Sequence, residues 1–489
     1  MPTRSNDEDF ESVEGLYAAQ PTAVLTANLS PTARRPPMID YCLGSYIYFK
    51  HRPRLLNASG GAGVSCLGDG NARVRAAMIS QIDRGPYAHA AFFPSYPFEA
   101  LTAYLVETTH GHMERAAIFN SGSETTEAAI KLARQYFVEI GEPKRLNFIA
   151  RHGSYHGITI GALSISGHPT RRSLFEEMLL ENVSLVSSCN PYRGLLPGEN
   201  LEQYVKRLQQ ELDDEFKSLG PETVCAFVVE PIVGAALGCV GPVPGYFAAM
   251  KSVCDKYGAL LIFDEVMCGL GRTGTLHAWE QDDIDIAPDI QMIGKGLAGG
   301  YQPVSGILAS SRVVEGLRNG SGAFSHGQTF QGHPLCCAAA LEVQHVIRDE
   351  NLVASVKRRG RLLGDALREN LSSHPHVGNI RGRGFLWGIE FVKDKSTKTP
   401  FPQSLNIAQR VRRHAEDAHN IAIYCGTGSA DGINGDHIMI MPPFNIEQED
   451  FEEIVPRVRR TIEDVFNEEE FQSLEKKPVE EDGPSRCDR

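Results

Sequence analysis

From about residue 115 to 310, short apolar runs alternate with helix-length segments. The runs are AAIF (116–119), LNFIA (146–150), VSLVS (183–187), AFVVE (226–230), ALLIF (259–263), IQMI (290–293) and SGILAS (305–310). Between them lie stretches with helical patterning, among them ETTEAAIKLARQYFV (124–138), LEQYVKRLQQELDDEFKSL (201–219) and PGYFAAMKSVCDKYG (244–258). Apolar runs of strand length punctuated by helices predict an α/β domain, with a seven-stranded, mostly parallel sheet covered on both faces. Sheets of this kind hold their ligands at the carboxyl ends of the strands. Glu230, Asp264 and Lys295 all fall at or just beyond such ends. One crevice can therefore collect them.

The pattern changes after about residue 335. A long helix (333–349) and a second one (351–373) precede HVGNIRGRGFLWGIEFV (376–392), which predicts strand, turn and strand. A helix (402–419), extended segments (421–424, 437–441) and a terminal helix (447–466) follow. Joined with residues 39–85, this region predicts a smaller α+β lobe built from both chain ends. The expected division is an N-terminal extension (1–38), partly disordered, and a first small-lobe segment (39–85). A large domain (86–332), the rest of the small lobe (333–470) and a disordered acidic tail (471–489) complete it.

Composition narrows the function classes. The chain has 489 residues, which exceeds a single core and agrees with two lobes. Its net charge of −13 argues against a nucleic-acid surface. No run reaches transmembrane length, so no membrane partner is expected. The first residues, MPTRSNDEDFESVEGLY, are acidic and lack the apolar stretch of a secretory signal. Eleven scattered cysteines without a CxxC pair fit reduced thiols in the cytoplasm. The doublet Cys336-Cys337 sits in a helical run, where buried free thiols are expected.

The candidate chemistry centres on Lys295, in QMIGKGLAGGYQPVSGI (291–307), and on Asp264, which ends the run GALLIFDEV (258–266). A lysine on glycine-rich backbone beside a strand-end acid suits an enzyme using pyridoxal phosphate. The amine can form a Schiff base with the cofactor aldehyde, and the carboxylate can keep the pyridine nitrogen protonated. Taken singly, the same residues read as a surface charge and a helix cap. In NSGSETTEAAIKLAR (120–134), Gly122 and Ser123 open a helix whose free amides could hold a phosphate, or Ser121 or Ser123 could simply cap it. Tyr155 and His156, in RHGSYHGITIGALS (151–164), could stack on a planar cofactor or pack as an ordinary pair. Glu230 in FVVEPIVG (227–234) needs a partner in so apolar a run, or contacts a ligand. Thr329, in the polar loop HGQTFQGHPL (326–335), is expected to open a helix and could bind an anion there.

In chain order, the glycine-serine turn, Tyr-His-Gly, Val-Glu-Pro, Asp-Glu-Val, Gly-Lys-Gly and Thr-Phe-x-Gly-His-Pro resemble the class III aminotransferases. These are pyridoxal-phosphate enzymes of fold type I, and the resemblance covers roughly residues 39 to 465. It implies that Lys295 is the Schiff-base lysine and that Asp264 pairs with the pyridinium nitrogen. It further implies that Tyr155 and Val266 cover the two ring faces, that His156 and Glu230 lie at the cofactor, and that Gly122 and Ser123 hold its phosphate. Thr329 would complete that phosphate site from the partner subunit of a homodimer. Phe92, Phe93 and Tyr96, in the aromatic segment HAAFFPSYPF (89–98), fall where relatives line the substrate entry.

Departures from the family pattern bear on the substrate. Relatives acting on ornithine, acetylornithine or 4-aminobutyrate tend to carry arginine where this chain has Ile158. In ornithine-type relatives a second arginine, which pairs with the Val-Glu-Pro glutamate, stands where this chain has Met439. Methionine cannot replace a bidentate carboxylate clamp. Met267 occupies a position that is glutamine in some relatives. The pocket is therefore expected to be apolar, taking an amine far from, or without, a carboxylate. The implied reaction moves an amino group from an amine or omega-amino donor to an oxo acid such as pyruvate or 2-oxoglutarate. Decarboxylase-transaminases and aminomutases share the fold and are the alternatives within the family. A non-catalytic cofactor-binding protein is the alternative outside it.

Overall fold

The structure, a computed structural model, describes residues 37–468. The expected N-terminal extension and acidic tail lie almost wholly outside the described residues. A meander of β1 (Tyr41–Leu43), β2 (Tyr46–Phe49) and β3 (Arg52–Asn57) opens the described chain, followed by helices α1 (Ala72–Arg84) and α2 (Tyr96–Glu107). Next come β4 (Arg115–Phe119), helix α3 (Gly122–Glu139), β5 (Asn147–Arg151), β6 (Val183–Val186), helix α4 (Leu201–Leu219) and β7 (Val224–Val229). Helix α5 (Tyr246–Tyr257), β8 (Leu260–Asp264), β9 (Ile290–Ile293) and β10 (Ser305–Ala309) complete the large sheet region.

All seven expected strands form one sheet, in the order β4-β10-β9-β8-β7-β5-β6. Every neighbouring pair is parallel except those made by β10, which runs antiparallel to both β4 and β9. The residues between β9 and β10 are too few for the crossover that parallel pairing needs, so β10 turns back. That reversal matters for function. The end of β4, the start of β10 and the ends of β9, β8, β7 and β5 all reach the same edge of the sheet.

The central strands are apolar throughout because both faces are covered. Ala226, Val228, Leu260 and Ile262 face one core with Ala129, Leu132, Ala133 and Phe137 of α3. The alternate residues Phe227, Val229, Leu261 and Phe263 face another core with Tyr204, Leu208, Leu212 and Phe216 of α4 and Phe247 and Met250 of α5. The four buried α4 residues recur every fourth position, which sets one helical stripe against the sheet. Its remaining faces carry the charge.

The rest of the chain forms helices α6 (Pro334–Asp349) and α7 (Leu352–Leu371), strands β11 (Val377–Arg383) and β12 (Leu386–Phe391), and helix α8 (Ile407–Ala418). Strands β13 (Ile421–Ala422), β14 (Tyr424–Gly426) and β15 (His437–Ile440) and helix α9 (Gln448–Asn467) follow. β11, β12, β15 and β14 make an antiparallel sheet, while β13 adds to β3 in the N-terminal one. One core joins Leu56, Leu67 and Val74 to Val343, Leu363, Phe391, Ile438 and Ile462, so both chain ends share it. The helix expected over 402–419 is shorter. A single 3-10 turn (Gln403–Leu405) ends at Asn406, whose φ of 48° is left-handed, and α8 starts after it. Cys336 and Cys337 are buried free thiols, and burial pushes the Cys336 thiol up to about 11.

Candidate active site

Helix α3 starts where the sequence supplies a reciprocal cap. Ser121 Oγ accepts from the Glu124 amide at 3.2 Å, and the Glu124 carboxylate accepts from the amides of Ser121 (3.0 Å) and Asn120 (2.9 Å). The Thr125 amide is taken by the Ser121 carbonyl. Of the first four helical amides, those of Gly122 and Ser123 are left to face outward at the positive end of the dipole. Gly122 keeps the approach close, since a Cβ there would lie 3.1 Å from Val266 Cγ1. Ser121 is the cap, and the next two amides remain without a helical partner. Ser123 Oγ itself accepts from the Ile158 amide at 3.0 Å, binding the loop after β5 to the helix start. Gly157 has a φ of 134°, and a Cβ there would sit 2.6 Å from Ser123 Oγ, so this contact requires glycine.

The edge shared by the strand ends opens into a cleft of about 440 Å³. Gly122, Ser123, Tyr155, His156, Glu230, Asp264, Val266 and Lys295 all line it. Asp264 ends β8, and its carboxylate is held from two sides. Oδ1 accepts from the Val266 amide at 3.0 Å, and Oδ2 accepts from His156 Nδ1 at 2.8 Å. The His156 ring is buried, and its Nε2 has no hydrogen-bond partner among the described residues. Glu230 finds its partners in backbone rather than in arginine: Oε1 accepts from the Tyr155 amide and Oε2 from the Gly234 amide, each at 3.0 Å. Burial raises the Glu230 carboxyl above its ordinary range; nearby Asp264 adds to the rise, and His156 opposes it.

Lys295 follows β9 with φ at 40°, a left-handed backbone that is strained in a residue with a side chain. Gly294 before it packs under Val266, where a Cβ would lie 3.1 Å from Cγ1. Burial pushes the Lys295 amine below its ordinary range, while the charges of Asp264 and Glu230 pull the other way. The site thus combines an amine biased toward its neutral form, a fixed carboxylate and a pair of free helix amides. Groups of these kinds can act as a nucleophile, as a partner for a protonated ring nitrogen, and as a cradle for a phosphate.

Not every expected residue reaches this cleft. Thr329 lies in a turn and opens no helix; α6 begins only at Pro334, because the proline there fits a first helical turn. Its backbone carbonyl accepts from the Tyr87 hydroxyl at 2.9 Å, and its side chain is exposed. Phe92, Phe93 and Tyr96 are also away from the cleft of their own chain, at 74%, 70% and 83% exposure. Met267 lines the cleft, and Met439 is buried behind it in the same apolar cluster.

The structure also adds residues that the sequence did not single out. Asn120, Gln302, Pro303 and Val304 line the cleft because β4 and β10 deliver them to the same edge. Arg171 lies outside on Tyr155, with its guanidinium carbon 4.5 Å from the ring centroid. Its neighbour Arg172 is fully engaged, donating to the carbonyls of Ser164 (2.7 Å) and Ser166 (2.9 Å) and pairing with Glu176 at 2.8 Å. Arg171 makes no such bond: among the described residues no carboxylate lies within ion-pair distance of it.

The family model described as aminotransferase class-III matches residues 32–462. The chain belongs to that family. An aminotransferase of Gibberella zeae is 49% identical over 438 residues, covering 89% of this chain and 85% of the relative. The chloroplastic gamma aminobutyrate transaminase 3 of Solanum lycopersicum is 33% identical over 478 residues, covering 96% of this chain and 89% of the relative. An omega transaminase from Pseudomonas jessenii, solved in complex with PMP, superposes with a TM-score of 0.83 at 31% identity. That match covers 91% of this chain and 97% of the other. This class-III aminotransferase is therefore an enzyme of fold type I, and it carries out transamination with pyridoxal phosphate. The cleft fits that cofactor on its own terms. The free amides beside Gly122 suit a phosphate, the Asp264 carboxylate suits a protonated ring nitrogen, and the lowered Lys295 amine suits an aldehyde.

Proposed function

We propose that Lys295 is the catalytic lysine of this aminotransferase and that Asp264 is its electrostatic partner. The observation that carries the reading is their convergence: a fixed, buried carboxylate and an amine held below its ordinary pKa line one cleft. When bound, pyridoxal phosphate supplies an aldehyde for the lysine and a ring that draws off the electron pair released at the donor carbon. Asp264 stabilises the proton on the ring nitrogen, and His156 Nδ1–H holds that carboxylate in orientation. Tyr155 and Val266 would flank the ring, and the Gly122 and Ser123 amides would hold the phosphate. Glu230 positions the Tyr155 loop through the Tyr155 amide. Lys295 Nζ would take up the proton from the donor carbon.

The donor we propose is an amine or an omega-amino carboxylate. The cleft wall carries Val64, Ala235 and Met267, and among the described residues no arginine lines it. Arg171, unpaired on the outer side of Tyr155, is placed to meet a carboxylate at the far end of a donor or acceptor chain. An oxo acid such as pyruvate or 2-oxoglutarate is the acceptor. We further propose a homodimer in which Thr329 completes the partner's phosphate site and Phe92, Phe93 and Tyr96 line the partner's entry. The exposure of these aromatic residues supports that reading, since apolar surface of this size is normally covered. Free thiols at all ten cysteines among the described residues agree with a cytoplasmic location.

Mixing the purified holoenzyme with an omega-amino donor and no acceptor tests the reaction. The account expects bleaching of the cofactor's visible band with one equivalent of carbonyl product per site. Carbon dioxide release would instead identify a decarboxylase, and a panel of donors without spectral change would contradict transamination.

A further inference from the structure

Outside the cleft, the junction of α8 and α9 brings two histidines onto one carboxylate. His414 lies on α8, His419 lies just beyond its end, and Asp464 lies in the last turns of α9. His414 Nε2 is 3.2 Å and His419 Nε2 is 2.7 Å from the same oxygen, Asp464 Oδ2. All three atoms lie within 4.8 Å of one another. We propose that these three side chains form a binding site for a divalent ion of the zinc type, with water completing its coordination.

The donor set and spacing support this. Two imidazole nitrogens and one carboxylate oxygen suit zinc and its neighbours better than magnesium or calcium, which prefer all-oxygen sites. Zinc bonds of about 2.0–2.2 Å in a tetrahedron put ligand atoms roughly 3.3 Å apart, close to the 3.2 and 2.7 Å between each histidine nitrogen and the Asp464 oxygen. Side-chain exposures of 27%, 15% and 51% for His414, His419 and Asp464 leave an entry path from solvent.

A second observation comes from the other face of His414. Its Nδ1 lies 3.5 Å from Glu468 Oε1. Ligating histidines commonly have a carboxylate beside their second nitrogen, and this one also lies 4.0 Å from Arg410 Nη1. A zinc ion at the cluster would tie the end of α9 to the end of α8, independently of the cleft.

The test uses the cofactor-loaded full chain, stripped with chelator and desalted. Titration with Zn²⁺ by calorimetry should show one equivalent in the wild type that His414→Ala/His419→Ala lacks, with affinity differing at least tenfold. Zn²⁺ should raise the melting temperature of the wild type only, and chelator should reverse the rise. Co²⁺ in its place should give visible bands of nitrogen and oxygen ligation without thiolate charge transfer, which separates this site from the free cysteines. Asp464→Asn, which keeps the side-chain shape, should lose the same equivalent and covers the case of a double variant that folds poorly. Equal stoichiometry and affinity in wild type and variants would overturn the proposal. So would a wild-type melting temperature that does not respond to Zn²⁺.

Discussion

Lys295 shows how one residue is committed to a task. Its left-handed backbone costs on the order of 1–3 kcal/mol, a strain that surrounding structure must hold in place. That Lys295 and Asp264 would meet in one crevice was legible in the sequence because each sits in a short local motif at the end of an apolar run. The bond from His156 to Asp264 was not legible, since it joins loops after separate strands. Arg171 was still less so. Adjacent arginines look alike in a sequence, and only packing shows that Arg172 is consumed by carbonyls and Glu176 while Arg171 is left over Tyr155. Arg171→Gln should raise KM for an omega-amino carboxylate roughly fivefold, because a solvent-screened charge pair is worth about 1 kcal/mol. Neither kcat nor the KM of an alkylamine without a carboxylate should change. Steady-state kinetics with chain-matched donors reads this directly, and an equal effect on both donors would remove Arg171 from substrate recognition.

At the level of elements, all seven strands of the large sheet lay close to their expected positions. The apolar runs mark them because both faces of the sheet are covered. The direction of β10 was hidden, since SGILAS is as apolar as its parallel neighbours and only the short connection from β9 decides it. The early part of the 402–419 helix failed for a local reason, the left-handed Asn406. The start of α8 is instead fixed from a distance. Asp436, buried before β15, accepts from the Ala408 amide at 3.0 Å, and burial raises its carboxyl to about 6. Its folded pKa lies above its unfolded value near 3.8, so the native state binds the extra proton between these values. Stability from this group is therefore present at low pH and lost as pH rises toward 6. Asp436→Asn can keep the bond to Ala408 through its Oδ1 while removing the charge. It should gain about 2–3 kcal/mol over wild type at pH 7, with the gain fading toward pH 4. Urea unfolding across that range measures it, and a pH-independent difference would contradict the burial argument.

At the scale of the whole molecule, the large sheet and the C-terminal antiparallel sheet are tied by charge as well as by core. Glu390 of β12 is fully buried, with Oε1 accepting from Arg193 Nε at 2.6 Å and Oε2 ion-paired with Arg381 at 2.5 Å. Arg193 follows β6 of the large sheet region, so the bridge crosses between sheets. Glu390→Gln leaves Arg193 and Arg381, 14% and 12% exposed, without their shared counter-charge and should cost about 3 kcal/mol in denaturant unfolding. A change below 1 kcal/mol would show the bridge to be dispensable. What a single chain withholds is the use of its exposed aromatic surface. Sedimentation should give twice the chain mass, and Phe92→Asp/Phe93→Asp should shift the protein toward monomer and weaken cofactor retention. A wild-type monomer that turns over at full rate would contradict the shared site.

The central claim is that Lys295 and no other lysine bonds the cofactor. Borohydride reduction of the holoenzyme, followed by proteolysis and mass spectrometry, tests it most directly. The account predicts one reduced pyridoxyl adduct per chain, on the peptide holding Gly294-Lys295-Gly296, and none in Lys295→Ala. An adduct on another lysine, or a Lys295→Ala protein labelled to the same extent, would contradict it.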